Sequence, residues 1–227
     1  MWWLAVPVVI GLGKLIYEVA TAEPTLPLSL PPDTTLVRNL RALRALTNNP
    51  DIRRVAFLGQ PGAGKSTIVS KLSKGRARPA PVIGVNTDAT TWAESTGVDL
   101  LCRWGRRVAA DVPGYDTSSH PVSAFVTYFP FDNFGKICLV VHNKIHGADI
   151  EIYQAISREE IMPIVIRSQA ESLDMDEREA VRKDLCQRFT GLTPSSVLFV
   201  SGRTGEGLDE LRLRLWISEF DHNGNSN

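Results

Sequence analysis

The chain has 227 residues, of which 43% are apolar and 22% charged, a balance that excludes a disordered chain and suits one domain of ordinary size with a short extension. With 25 lysines and arginines against 25 aspartates and glutamates there is no net charge, so nothing global points to nucleic acid or to acidic substrates. Cys102, Cys138 and Cys186 lie far apart with no CxxC pair, which argues against a zinc site or a disulfide framework and fits a reducing, cytoplasmic setting.

Residues 1–20 stand apart from the rest. Met1 to Gly13 is uncharged and mostly apolar, and Leu15, Ile16, Tyr17 and Val19 continue that character past Lys14. As a helix this stretch would reach about 30 Å, roughly a bilayer core. Lys14 and Glu18 interrupt it and Pro7 would kink it. No basic residue precedes the apolar run, so a secretory signal does not fit, whereas Trp2 and Trp3 suit a membrane interface. Two readings stay open: association with a membrane surface, or a hydrophobic helix packed on the domain or a partner. Residues 21–33, with Pro24, Pro27, Pro31 and Pro32, read as a semi-stiff linker. Asp33 is then positioned to cap an amphipathic helix over 34–49. Leu36, Val37, Leu40 and Leu43 share one face of it; Arg38, Arg41 and Arg44 share another, read as solvated in preference to phosphate- or lipid-binding.

From Ile52 the pattern alternates strands and helices, the mark of an α/β domain with a mostly parallel sheet, here spanning 50–220. Val55–Leu58, Val108–Ala110, Ile137–Val141, Ile164–Ile166 and Val197–Val200 read as buried strands. Asp174 with Glu177 makes a capping-box start for a helix to Phe189, with Val181, Leu185 and Phe189 as its buried stripe. Leu208 to Phe220 reads as the closing helix, with Leu211, Leu215 and Trp216 inward, and 221–227 as a polar tail.

Strand 55–58 runs into Gly59-Gln60-Pro61-Gly62-Ala63-Gly64-Lys65-Ser66-Thr67, the GxxxxGKS pattern of a phosphate-binding loop with a strand before it and a helix after it. Its glycines let backbone N–H groups turn toward phosphate oxygens, and the helix N-terminus adds its dipole. Lys65 would reach the β and γ phosphates, and the Ser66 hydroxyl would ligate Mg²⁺. The loop alone does not choose among GTPase, ATPase and kinase.

Strand 108–110 leads into Asp111-Val112-Pro113-Gly114, 46 residues after Lys65. An aspartate at the end of a neighbouring strand can hold Mg²⁺, and Gly114 can present its N–H to a γ phosphate. Between the two motifs lies Gly84 to Trp92, where Thr90 or Thr91, with Thr87 in reserve, would close over the metal. Asp116 and His120 are read as ordinary loop residues in preference to catalytic ones. His142 and His146 have the i, i+4 spacing of a helical metal pair, but His142 ends a strand and no third ligand is apparent.

GQPGAGKST at 59–67, DATT at 88–91, DVPG at 111–114 and SGRTGEGLDEL at 201–211 together resemble the translation-factor-related class of P-loop GTPases, in particular the Era-like, dynamin-like and immunity-related GTPases. The resemblance covers residues 50–220. It implies a three-layer P-loop sandwich, GTP or GDP with Mg²⁺ as ligands, and Ser201, Gly202 and Arg203 at the place where the family's backbone contacts the guanine oxygen. The family reads guanine with [NT]KxD after the fifth strand of its domain. Asn143-Lys144-Ile145-His146 comes too early for that, 32 residues after Asp111. Ser168-Gln169-Ala170-Glu171 stands 57 residues after Asp111 and 33 before Ser201, close to the family's spacing, with Gln169 and Glu171 replacing lysine and aspartate. A carboxylate at 171 still accepts from two parallel donors. Ras-like members carry a water-orienting glutamine after DxxG, where this chain has Tyr115. The resemblance therefore implies slow intrinsic hydrolysis assisted by another group or by a partner, either a second copy or an effector protein. Two other readings remain: a membrane-attached nucleotide-binding scaffold with little turnover, and a P-loop ATPase or small-molecule kinase.

Overall fold

A computed structural model describes residues 33–49, 51–84 and 91–216. The hydrophobic segment 1–20, most of the linker, Thr87, Thr90 and the tail lie outside them. Among the described residues no helix is long and apolar enough to cross a membrane.

Helix α1 spans Thr35–Leu46. Its cap is Thr34, not the expected Asp33: Thr34 is extended and its hydroxyl accepts from the Val37 N–H at 3.3 Å. Asp33 stands one residue too early and instead pairs in solvent with Arg41. Leu36, Val37, Leu40 and Leu43 are fully buried and belong to the main apolar cluster, so α1 is part of the core. Each such side chain contributes roughly 1.5–3 kcal/mol.

The sheet has six strands: β1 (Asp51–Gly59), β2 (Cys102–Trp104), β3 (Arg107–Asp111), β4 (Phe134–Val141), β5 (Ile164–Ser168) and β6 (Val197–Val200), in the order β2-β3-β1-β4-β5-β6. All neighbours are parallel except β2, which pairs antiparallel with β3 at the edge. Helices cover both faces, as parallel sheets require. On one face α2 (Lys65–Leu72) and α6 (Leu208–Trp216) bury Ile68, Val69, Leu72, Leu211 and Leu215, and Trp216 meets Trp104 edge-on with ring centroids 5.9 Å apart. On the other lie α1, α3 (Val122–Tyr128), α4 (Gly147–Arg158) and α5 (Met175–Arg188). The start of α5 is the anticipated capping box: Asp174 and Glu177 exchange bonds of 2.9 Å with each other's N–H groups. In its stripe Leu185 and Phe189 are buried and Val181 is half-buried.

Strands β1, β3 and β4 run side by side, with Phe57 level with Asp111 and with Cys138. Their C-terminal ends open on one edge of the sheet, where parallel α/β folds place ligands.

Candidate nucleotide-binding site

The site begins where β1 turns into α2. Gly62 and Gly64 both adopt positive φ, +75° and +90°, which lets the loop curl back toward the helix start. The Ala63 N–H closes a tight turn on the Gln60 carbonyl at 3.2 Å. The first N–H groups of α2, including those of Lys65, Ser66 and Thr67, have no partner further back in the helix, and the helix dipole favours an anion there. The Lys65 ammonium folds over this loop, donating to the carbonyls of Gly59 at 2.9 Å and Gln60 at 3.0 Å. Burial pushes its pKa down from 10.5 to about 8, against the attraction of Asp111 and Asp149.

Three other segments press against the loop. A Cβ on Gly114 would stand 2.4 Å from the Pro61 nitrogen, so DVPG touches the loop directly and only glycine fits there. A Cβ on Gly202 would meet the Thr67 methyl at 2.7 Å, and one on Gly64 would lie 4.0 Å from that of Ser168. The phosphate loop, DVPG, Ser168 and Gly202, scattered over some 150 residues of sequence, are thus one surface.

Asp111 stands at the end of β3. Burial pushes its carboxyl pKa up, while the Ser66 hydroxyl and the Lys65 ammonium pull it back. Both carboxylate oxygens are buried and neither has a hydrogen-bond partner of ordinary geometry. Two such oxygens facing a hydroxyl at the mouth of a phosphate loop match a hard divalent cation that prefers oxygen ligands. Thr91 and Asp111 line the same cavity of about 260 Å³. The Thr91 hydroxyl accepts from the Ala93 N–H at 3.3 Å.

At the far side, Gln169 takes the left-handed conformation and sends the chain into a 3-10 turn, Ala170–Ser172. This brings Glu171 under Arg203, whose Nε donates to Oε1 at 3.2 Å, while Oε2 is buried and makes no hydrogen bond of ordinary geometry. The Ser201 hydroxyl, the local backbone N–H and Arg203 hold the Glu171 pKa below the usual carboxylate range. Ser201 itself is buried; its N–H donates to the Glu206 carbonyl at 3.0 Å and its hydroxyl accepts from the Thr204 N–H at 2.9 Å.

Tyr115 is engaged in the interior, on a carboxylate that also acts on the loop. It is fully buried, packs edge-on against Phe125, and donates to Asp149 Oδ1 at 2.6 Å. Asp149 Oδ2 accepts from the His146 N–H at 2.8 Å, fixing the start of α4. The Gln60 amide comes near enough to Asp149 to favour its charged form, although Gln60 Nε2 makes no hydrogen bond of ordinary geometry. Asp149 escaped the sequence reading because His146-Gly147-Ala148-Asp149 lacks the residue types of the usual capping box. Asp116 is exposed with φ +68°. His120 is buried and accepts from the Trp92 N–H at 3.1 Å. His142 precedes α4 and lies 3.4 Å from the buried Arg167, whose charge joins burial in lowering its pKa, so His142 and His146 do not share a helix face.

A family profile described as 50S ribosome-binding GTPase matches residues 54–169, about half of the chain and the span from β1 through Gln169. The chain belongs to that GTPase family. It is similar to GTPase Obg of Anaeromyxobacter sp., 30% identical over 175 residues, covering 69% of this chain and 46% of that protein. It is also similar to Obg of Desulfotalea psychrophila, 29% identical over 171 residues, covering 69% and 43%. A probable GTP-binding protein EngB of Leptospira biflexa is 21% identical over 194 residues, covering 80% of this chain and 87% of that one. The chain spans about half the length of the Obg relatives it matches. A crystal structure of a probable GTP-binding protein EngB superposes with a TM-score of 0.52 at 15% identity, over 74% of this chain and 99% of the other, which shows the shared α/β P-loop GTPase fold. GTP and GDP are the ligands that membership of this family implies.

Proposed function

We propose that this GTPase binds GTP with Mg²⁺ and hydrolyses it slowly, using the segments before β2 and after β3 as a nucleotide-dependent switch. The observation that carries this reading is the convergence of Gly114, Ser168 and Gly202 on the phosphate loop, beside two buried oxygens of Asp111 that make no hydrogen bond of ordinary geometry. Lys65 and the N-terminus of α2 would hold the phosphates. Ser66, Asp111 and Thr90 or Thr91 would hold the cation, which when bound neutralises the charge that develops between the β and γ phosphates. Gly114 would offer its N–H to the γ phosphate, and Glu171 with residues 201–203 would read the base, once Arg203 yields or shares Oε1.

Slow turnover is supported by Tyr115. Its hydroxyl is engaged by Asp149 in the interior, so the residue at the glutamine position is not presented to an attacking water. The same observation favours the second reading, a nucleotide-binding scaffold with little hydrolysis. An ATPase is the third. Attachment to a membrane surface through residues 1–20, pairing with a second copy or an effector, and the finer likeness to Era-like, dynamin-like or immunity-related GTPases rest on sequence pattern.

The test is equilibrium binding of GTP and ATP with and without Mg²⁺, followed by single-turnover hydrolysis with and without liposomes. Mg-dependent preference for GTP, and turnover lost in Lys65→Ala, is the expected result. Equal affinity for ATP would overturn the guanine reading, and turnover no faster than spontaneous would leave the scaffold.

A further inference from the structure

Trp92 is where three separate parts of the chain meet. Its indole is buried in the apolar cluster that also holds Leu36, Leu40 and Leu43 of α1. Its carbonyl accepts from Asn39 Nδ2 at 2.8 Å, and its N–H donates to His120 Nε2 at 3.1 Å. The Asn39 nitrogen also donates to the Ser95 carbonyl at 2.8 Å, so both amide hydrogens are used. Asn39 and His120 are each only 1% exposed. His120 is in turn held by its own loop: its N–H donates to Thr117 Oγ1 at 3.0 Å, and Nδ1 lies 3.0 Å from Ser119 Oγ.

Asparagine is a poor residue for a helix interior, and the buried stripe of α1 would be better served there by an aliphatic side chain. Both bonds of the Asn39 amide go to the segment directly after Thr91, some 53 and 56 positions along the chain. Through Trp92 that segment is tied to His120, in the loop that leaves Gly114. The same helix braces α3, which follows that loop, by placing Arg41 over the Tyr128 ring at 5.0 Å. A helix N-terminal to every GTPase motif therefore grips one of the two segments that would have to meet a γ phosphate and reaches the other through Trp92.

We infer that Asn39 is a positioning residue for the triphosphate state: acting through Trp92 and His120, α1 sets the placement of residues 91–95 against residues 114–120. This rests on the GTPase switch proposed above. A diphosphate makes no demand on these two segments, whereas a triphosphate with its cation needs both in place at once. Loosening the latch therefore acts on one nucleotide and not the other.

The test is titration of the full chain with fluorescent GDP and with a non-hydrolysable GTP analogue, in Mg²⁺, for wild type, Asn39→Leu and, as a control on the exposed face of α1, Arg38→Ala. Asn39→Leu should lose roughly 5- to 30-fold in affinity for the analogue while its GDP affinity stays within about twofold, in the usual range of coupling between sites. Arg38→Ala should match wild type. An unchanged ratio in a folded Asn39→Leu overturns the latch and leaves the GTPase reading standing, whereas a wild type that binds neither nucleotide overturns both. Should Asn39→Leu not fold, hydrogen exchange of the Trp92 amide in wild type decides. Stronger protection with the analogue than with GDP supports the latch, and equal protection overturns it.

Discussion

Lys65 sits in the site as a buried ammonium hydrogen-bonded to two carbonyls, and that arrangement has a measurable pH signature. Its pKa falls from 10.5 to about 8 because the loss of water outweighs the pull of Asp111 and Asp149. An unfolded lysine titrates at about 10.4. Between about pH 8 and about pH 10.5 the unfolded chain therefore keeps a proton that the folded chain has released, so folding stability rises with pH through that window. Below it both states are charged and the burial cost stands in full, on the order of 3 kcal/mol. Lys65→Met removes the titration while all other groups remain common to both proteins. Urea unfolding at several pH values should show the stability difference moving toward wild type by roughly 2 kcal/mol between about pH 7 and about pH 9.5. With GTP and Mg²⁺ present the phosphates keep the ammonium charged, so nucleotide affinity should fall about tenfold by about pH 9. A stability difference that stays flat across the whole range would refute the burial of a charged Lys65.

Tyr115→Phe deletes the hydroxyl that serves Asp149 in the interior and should cost about 1.5–3 kcal/mol. For a domain of this size that lowers the melting temperature by roughly 3–12 °C, and an unchanged melting curve would mean the pair carries no stability. Glu171→Gln replaces one acceptor oxygen with a donor amide where guanine would present two N–H groups. GTP affinity should fall roughly 10- to 100-fold, and xanthosine triphosphate, which carries a carbonyl at that edge, should gain. GTP affinity equal to wild type would remove Glu171 from the base site.

Much of this was readable along the chain because the signals are local. A continuous apolar run as short as Ile137–Val141 and ending in two valines reads as a strand buried on both faces, and Asp174 with Glu177 announces a helix start from three residues of spacing. The phosphate loop is similarly self-contained: its glycines, Lys65 and Ser66 lie within eight positions of Gly59. Strand β2 was missed because three residues, Cys102–Trp104, are too short for any period to show. Helix α3 was missed because Val122–Tyr128 is seven residues long and carries β-branched residues that weaken a helical reading. The cap of α1 shifted from Asp33 to Thr34 because both are good caps and only backbone geometry chooses between neighbours.

The sequence by itself determined the class of chemistry, because backbone N–H groups, a lysine and a hydroxyl cradle phosphate wherever they occur in that order between a strand and a helix. It also determined the parallel α/β layout and which faces of α5 and α6 turn inward. Only the tertiary structure decided which distant side chains share a partner. That Tyr115 turns inward to Asp149, and that Asn39 and His120 both bond the Trp92 backbone, are each the pairing of a buried polar group with another far along the chain. Such pairings leave no periodic trace, since what drives them is the cost of leaving a polar group unpartnered once the fold has closed around it.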